Sequence, residues 1–142
     1  MIYVDTSALL KRYVPEVNSD NFDAYFVAHA PVAISRLTLV ELRSGLARKR
    51  REGTLSPKQE RAAMDEVRID IQDGALHIQP GADAHFIGAQ HLIDRLGHLP
   101  LRTLDALHLA IAEAEQVDEL ATADDVMRDA ANAIGLHVTY FG

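Results

Sequence analysis

The sequence predicts an α/β fold, a central parallel sheet of about five strands flanked by helices, in one domain over residues 1–142. Three observations carry this. Short apolar segments alternate with longer amphipathic ones along the whole chain, the order that builds parallel strands joined by helical crossovers. The opening Ile2-Tyr3-Val4 is apolar at consecutive positions, as suits a strand buried on both faces. At 142 residues, with 48% apolar and 25% charged residues, the chain has the size and composition of one globular domain. No repeat, low-complexity tract or linker interrupts it.

In order, Ile2–Val4 reads as a strand and Ser7–Val14 as a short helix stopped by Pro15. Asn18–His29 reads as a second helix capped by Asn18 or Ser19, and Val32–Ser35 as a strand. Leu39, Leu42 and Leu46 have helical spacing, so Thr38 to about Arg51 is a helix, with Gly53 marking its end. Ser56-Pro57 opens the next helix, which runs to Asp73-Gly74. Ala75–Ile78 is a strand, Ala82–Leu96 a helix closed by Gly97, and Thr103–Gln116 a further helix. Glu119–Thr122 is a strand, Asp124–Ile134 the last helix and His137–Tyr140 the last strand. Leu104, Leu107 and Ile111 read as core at helical spacing. The apolar positions of Ala24–Val27 and Ala82–Ile93 could form a dimer or antitoxin surface, but read more readily as ordinary core.

The absence of cysteine excludes a disulfide framework and a thiolate metal site. No apolar run approaches the roughly 18 residues of a membrane helix, and cytoplasmic residence is expected. A net charge of −7 argues by itself against a nucleic-acid partner. Its distribution softens this: Arg36–Arg61 holds eight basic and three acidic residues, a local +5, and the remainder carries −12. The run Arg48-Lys49-Arg50-Arg51 reads equally as a phosphate contact or as a solvated helix end favoured by the helix dipole.

Four acidic positions stand out by placement. Asp5 ends the first strand, Glu41 lies early in the helix after the second, Asp105 lies in the first turn of its helix, and Asp124 follows the strand ending at Thr122. In a parallel sheet, ligands gather at the carboxyl ends of the strands, where all four can converge. Singly, each has an ordinary explanation in helix capping or the helix dipole, although Asp5 directly after a buried strand has little local reason to be there. Together they suggest a site. Crowded carboxylates raise one another's pKa, a cost that a bound cation removes. Oxygen ligands without cysteine or a histidine cluster select Mg²⁺ or Mn²⁺, the equipment for phosphodiester hydrolysis. Ser7 and Thr122 are placed to hydrogen-bond the carboxylates, or simply to cap. His108, one turn after Asp105, could face the site, but reads more readily as a satisfied histidine on a half-buried helix.

Met1–Leu10, Thr38–Gly45, Thr103–Ala112 and Ala121–Asp124 resemble the four signature blocks of the PIN-domain ribonucleases, in particular the VapC-type toxins of toxin–antitoxin pairs. The residues that carry the resemblance are Val4-Asp5-Thr6-Ser7-Ala8-Leu9, Leu39-Val40-Glu41-Leu42, the block Leu104-Asp105-Ala106-Leu107-His108-Leu109-Ala110 and Thr122-Ala123-Asp124. The resemblance spans nearly the whole chain. It implies a three-layer α/β/α fold and a metal-dependent endoribonuclease. Asp5, Glu41, Asp105 and Asp124 would be both the catalytic and the metal-binding cluster, with Asp125 able to share the role of Asp124. It further implies Mg²⁺ or Mn²⁺ as cofactor, RNA as substrate, a homodimer, and a cognate antitoxin that docks a helix and an extended tail, often with an Arg presented to the acids. The Arg36–Arg61 region would hold the RNA backbone. With four Phe, four Tyr and no Trp, a base-stacking array is not expected, and specificity would come from RNA shape.

Two other readings compete. A phosphoacceptor signalling domain also places an Asp after its first strand, but it calls for a second Asp after the middle strand and a Lys near the last. This sequence has Ile78-Gln79-Pro80 and His137–Tyr140 there instead. A catalytically silent PIN-like scaffold that binds RNA or protein would lack an acidic position, and none of the four is missing.

Overall fold

A computed structural model describes residues Met1–Gly142. Its strands are β1 (Ile2–Val4), β2 (Val32–Ser35), β3 (Leu76–Gln79), β4 (Glu119–Thr122) and β5 (His137–Tyr140). Its helices are α1 (Thr6–Tyr13), α2 (Ser19–His29), α3 (Arg36–Arg51), α4 (Pro57–Gln72), α5 (Asp83–Arg95), α6 (Thr103–Ala114) and α7 (Asp125–Ala133). All pairings are parallel and the sheet order is β3-β2-β1-β4-β5. No helix is long and apolar enough to cross a membrane.

Side chains alternate across a strand, and the three central strands bury both faces. Val4, Val32, Ile34 and Ala121 pack with α1–α4, while Tyr3, Ala33 and Leu120 pack with α5–α7. The sheet is therefore the middle of three layers. Enclosing large side chains such as Leu9, Phe22, Ile34, Leu109 and Met127 stabilises by about 1.5–3 kcal/mol each.

Element boundaries fall within two residues of the sequence reading, and the differences have local causes. Helix α3 starts at Arg36 because Ser35 and Thr38 cap each other. Ser35 Oγ accepts from the Thr38 amide and Thr38 Oγ1 from the Ser35 amide, each at 3.2 Å. Thr38 at this position escapes the usual Ser-to-Glu capping pattern. Helices α3 and α4 both end as expected, at Gly53 (φ 81°) and Gly74 (φ 76°), in the left-handed conformation that glycine adopts without penalty.

Three core expectations change. Leu107 and Ile111 are buried, but Leu104 is 44% exposed, because it lies one residue before Asp105 at the open end of α6. On α2, Val27 is exposed while Phe22 and Phe26 are buried. On α5, Phe86, Ile87 and Ile93 are exposed while Ala89 and Leu92 are buried. Each helix buries only one stripe, and its remaining apolar residues face outward.

Candidate active site

The chain runs outward from β1 through β2 to β3, then returns to place β4 on the other side of β1. The sheet order therefore reverses between β1 and β4, and crevices form at the carboxyl ends of the strands at such a reversal. There the Asp5 amide donates to Ala121 O at 3.1 Å. This joins the end of β1 to β4 and sets Asp5 beside Thr122.

Asp5 is 3% exposed, and neither oxygen is free. Oδ1 accepts from Ser7 Oγ at 2.7 Å and from the Ala8 amide at 3.0 Å, and Oδ2 accepts from Thr122 Oγ1 at 2.6 Å. The Ala8 bond makes Asp5 the N-cap of α1, so the residue has the local role that the sequence reading denied it. Burial pushes its carboxyl up, against the opposing pull of the Thr122 and Ser7 hydroxyls, the Ala8 amide and His108. Ser7 Oγ also accepts from the Ala123 amide at 2.9 Å, and Thr122 Oγ1 from the Asp124 amide at 3.0 Å. Both hydroxyls thus perform both expected tasks, holding the carboxylate and shaping the turn after β4.

The other three acids line one cleft of about 410 Å³, together with Arg102, Thr103 and Leu104. Glu41 lies in the second turn of α3. Its Oε1 accepts from Thr6 Oγ1 at 2.9 Å and pairs with His108 Nε2, and Oε2 has no partner. Burial alone would raise its carboxyl, but the hydrogen bond and charge of His108, with Thr6, hold it below the ordinary value. Asp124 caps α7 through Oδ1, which accepts from the Met127 amide at 2.7 Å. Asp105, at the third position of α6, has no hydrogen-bond partner. Burial, then the charges of Asp124 and Asp5, push its carboxyl up to about 6.

Asp125 does not face this cleft. It is exposed and paired with Arg128 at 3.0 Å and with Tyr140 Oη, leaving Asp124 alone in that position. A larger depression of about 680 Å³ adjoins the cleft along α1 and α3, lined by Leu10, Lys11, Leu37, Val40, Ser44, Arg48 and Leu104 among others. The basic region is partly spent internally. Arg43 and Arg50 pair with Glu60 at 3.1 and 2.8 Å, and Lys49 with Glu16 at 3.1 Å. Arg36, Arg48 and Arg51 remain without acidic partners and are exposed.

The free oxygens, Glu41 Oε2, Asp124 Oδ2 and both of Asp105, are hard donors that suit Mg²⁺ or Mn²⁺. No three acidic or histidine side chains stand close enough together to hold an ion between them. The acids share a cleft and a field without closing on one point. His108 is the residue that sequence reasoning undervalued. It is buried as expected, yet it touches Glu41, and its place one turn after Asp105 was the available signal.

The PIN domain profile matches residues 2–133. The chain is 33% identical to Ribonuclease VapC46 of Mycobacterium tuberculosis over 142 residues, covering 96% of this chain and 95% of that protein. Among solved structures it is similar to the sarcin-ricin loop cleaving toxin VapC20 of Mycobacterium tuberculosis, with TM-score 0.74, 17% identity and 96% of both chains covered. It is also similar to VapBC2 of Rickettsia felis, solved bound to a DNA fragment from their promoter, with TM-score 0.67, 20% identity and full coverage of both chains.

Proposed function

The chain belongs to the PIN-domain family, and we propose that it is a metal-dependent endoribonuclease, a single nuclease domain acting in the cytoplasm as the toxin of a type II toxin–antitoxin pair. The observation that carries this reading is Asp105. It is a half-buried carboxylate with no hydrogen-bond donor, pushed up to about 6 by burial and the neighbouring acids, in a cleft at the sheet's point of reversal. A protein leaves such a group unpaired at a cost, and a cation from outside removes it. The 33% identity to a protein named as a ribonuclease supports the same reading.

In this reading the free oxygens of Asp105, Asp124 and Glu41, which share the cleft without meeting at one point, draw in on the cation, and Asp5, buried beside Thr122 with both oxygens bonded, adds to the acidic field. A divalent ion bound there supplies an activated water and neutralises the scissile phosphate. Ser7 and Thr122 hold Asp5 in place by donating to it. Arg102 at the rim, with Arg36 and Arg48 on α3, draws the RNA backbone toward an otherwise negative mouth. The depression beside the cleft presents Leu10, Leu37, Val40 and Leu104 next to Glu41, with Lys11, Glu16 and Arg48 also on its wall, an apolar surface with an acid at its inner end where an antitoxin tail carrying an Arg would seat.

The test is cleavage of a mixed RNA panel with Mg²⁺ or Mn²⁺ by wild type, Asp5→Asn and Asp105→Asn, with EDTA as control. Metal-dependent cleavage absent from both variants is the expected result. Cleavage that survives both substitutions overturns the mechanism. An intact wild type that neither cuts RNA nor takes up Mn²⁺ supports the silent scaffold instead.

A further inference from the structure

A buried polar chain runs from the sheet to the cleft. Tyr3 of β1 is fully buried, and its Oη lies 2.7 Å from His108 Nδ1. His108, on α6, is 2% exposed. Its Nε2 pairs with Glu41 Oε1, the oxygen that also accepts from Thr6 Oγ1. Three elements that are distant in sequence thus meet through one imidazole.

The chain has a direction. Burial raises the Tyr3 phenol, so Tyr3 keeps its proton, and its Oη is the partner of Nδ1. Glu41 Oε1 is a carboxylate oxygen and accepts, so Nε2 carries a hydrogen aimed at it and Nδ1 is the nitrogen left to Tyr3. A histidine serving only the core needs no partner at the cleft mouth. This one spends its outward nitrogen on an acid of the site, and that acid's second oxygen, Oε2, is left unengaged.

We propose that His108 is a positioning residue that ties down Glu41 Oε1 so that Oε2 is the donor offered to a divalent cation, with Tyr3 engaging the other ring nitrogen. The proposal rests on the reading that the cleft binds such a cation. Partners of this kind fix a ligand's orientation, and their loss typically weakens metal binding by about tenfold to a hundredfold.

The experiment is Mn²⁺ titration by calorimetry, paired with nitrogen NMR of the His108 ring and with melting temperatures in the absence of metal. His108→Ala is expected to weaken Mn²⁺ binding by about tenfold to a hundredfold. His108→Gln, whose amide can still donate to Glu41, is expected to retain most of the affinity, with Tyr3→Phe in between. In a Glu41→Gln background, His108→Ala is expected to have no further effect, because both act through one carboxylate. The ring is expected to carry its hydrogen on Nε2 in the metal-free wild type and to show mixed tautomers in Tyr3→Phe. Wild-type affinity in His108→Ala overturns the proposal, as do independent, additive losses in the Glu41→Gln background. Equal weakening in the Ala and Gln variants with a matching fall in melting temperature also overturns it, since His108 would then only fill space. A folded wild type that takes up no Mn²⁺ sinks the cation reading and this proposal with it, whereas an unaffected His108→Ala sinks this proposal alone.

Discussion

Asp70, buried on α4, and Asp105, half-buried on α6, are the same residue type, and the protein treats them in opposite ways. Burial opposes ionisation at both. Around Asp70 the fold supplies compensation: Arg12 donates through Nε at 2.7 Å and Nη2 at 3.0 Å, and Tyr13 Oη donates at 2.6 Å. The Asp70 carboxyl is accordingly held below its ordinary range. Asp105 receives no donor, and its charged neighbours Asp124 and Asp5 add to the cost. A carboxylate given its own arginine clamps helices together. One placed among other carboxylates costs free energy when ionised, and positive charge nearby would lower that cost.

The largest expected effect that tests this contrast is Asp105→Asn. We expect Mn²⁺ affinity to fall by more than the roughly hundredfold upper range for indirect partners of a metal. Metal-free stability should rise by about 1 kcal/mol, once solvent screening at this half-open site is allowed for. Calorimetry and denaturant unfolding read the two effects separately, and a destabilised variant would place Asp105 with the structural acids.

Asp70→Ala should do the reverse. Removing it strands Arg12 and Tyr13 in a partly buried site, with an expected loss of about 3 kcal/mol and unchanged Mn²⁺ affinity per folded molecule. A loss below about 1 kcal/mol, measured by urea unfolding, would mean that Asp23, 3.3 Å from Arg12, takes over the pairing.

The two acids also pull stability in opposite directions with pH. Asp105 is raised to about 6, so its contribution in the metal-free protein is fully present below about pH 4 and is lost as pH rises through about 6. Asp70 is lowered, so its contribution is present above about pH 4 and is lost as pH falls below that. The rise in melting temperature caused by Mn²⁺ should therefore grow from pH 5 to pH 7, as the ion replaces protons at Asp105. Melts with and without Mn²⁺ across that range check this. In Asp105→Asn the pH dependence of the increment should flatten.

The smallest expected effect is at Asp125. It neighbours Asp124, yet Arg128 and Tyr140 already engage it at the surface. Asp125→Asn should leave Mn²⁺ affinity and melting temperature unchanged within error. A clear loss of affinity would extend the cluster to Asp125.

Much of the site was legible because its acids sit at positions that topology makes special. A residue just past a buried strand, or early in the helix beside it, arrives at the carboxyl edge of a parallel sheet whatever the loops do. That accounts for Asp5, Glu41, Asp105 and Asp124. The importance assigned to Asp5 rested on its lacking a local role, and its cap to Ala8 supplies one. The basic stretch misled in part, because charge counting cannot see that Glu60 takes up Arg43 and Arg50. Leu104 misled because helical spacing gives the face of a helix but not where the layer above it ends.

Alternating apolar segments determined the α/β class, the order of elements and the acidic positions at the strand ends, since each depends on contacts within a few residues and on the period of a helix or strand. Only the tertiary structure decided who pairs with whom. Tyr3 and His108 are 105 residues apart, and His108 and Glu41 are 67 apart. Their meeting depends on β4 returning to the side of β1 opposite β2, a closure set by burial of both sheet faces at once and written in no local window of the chain.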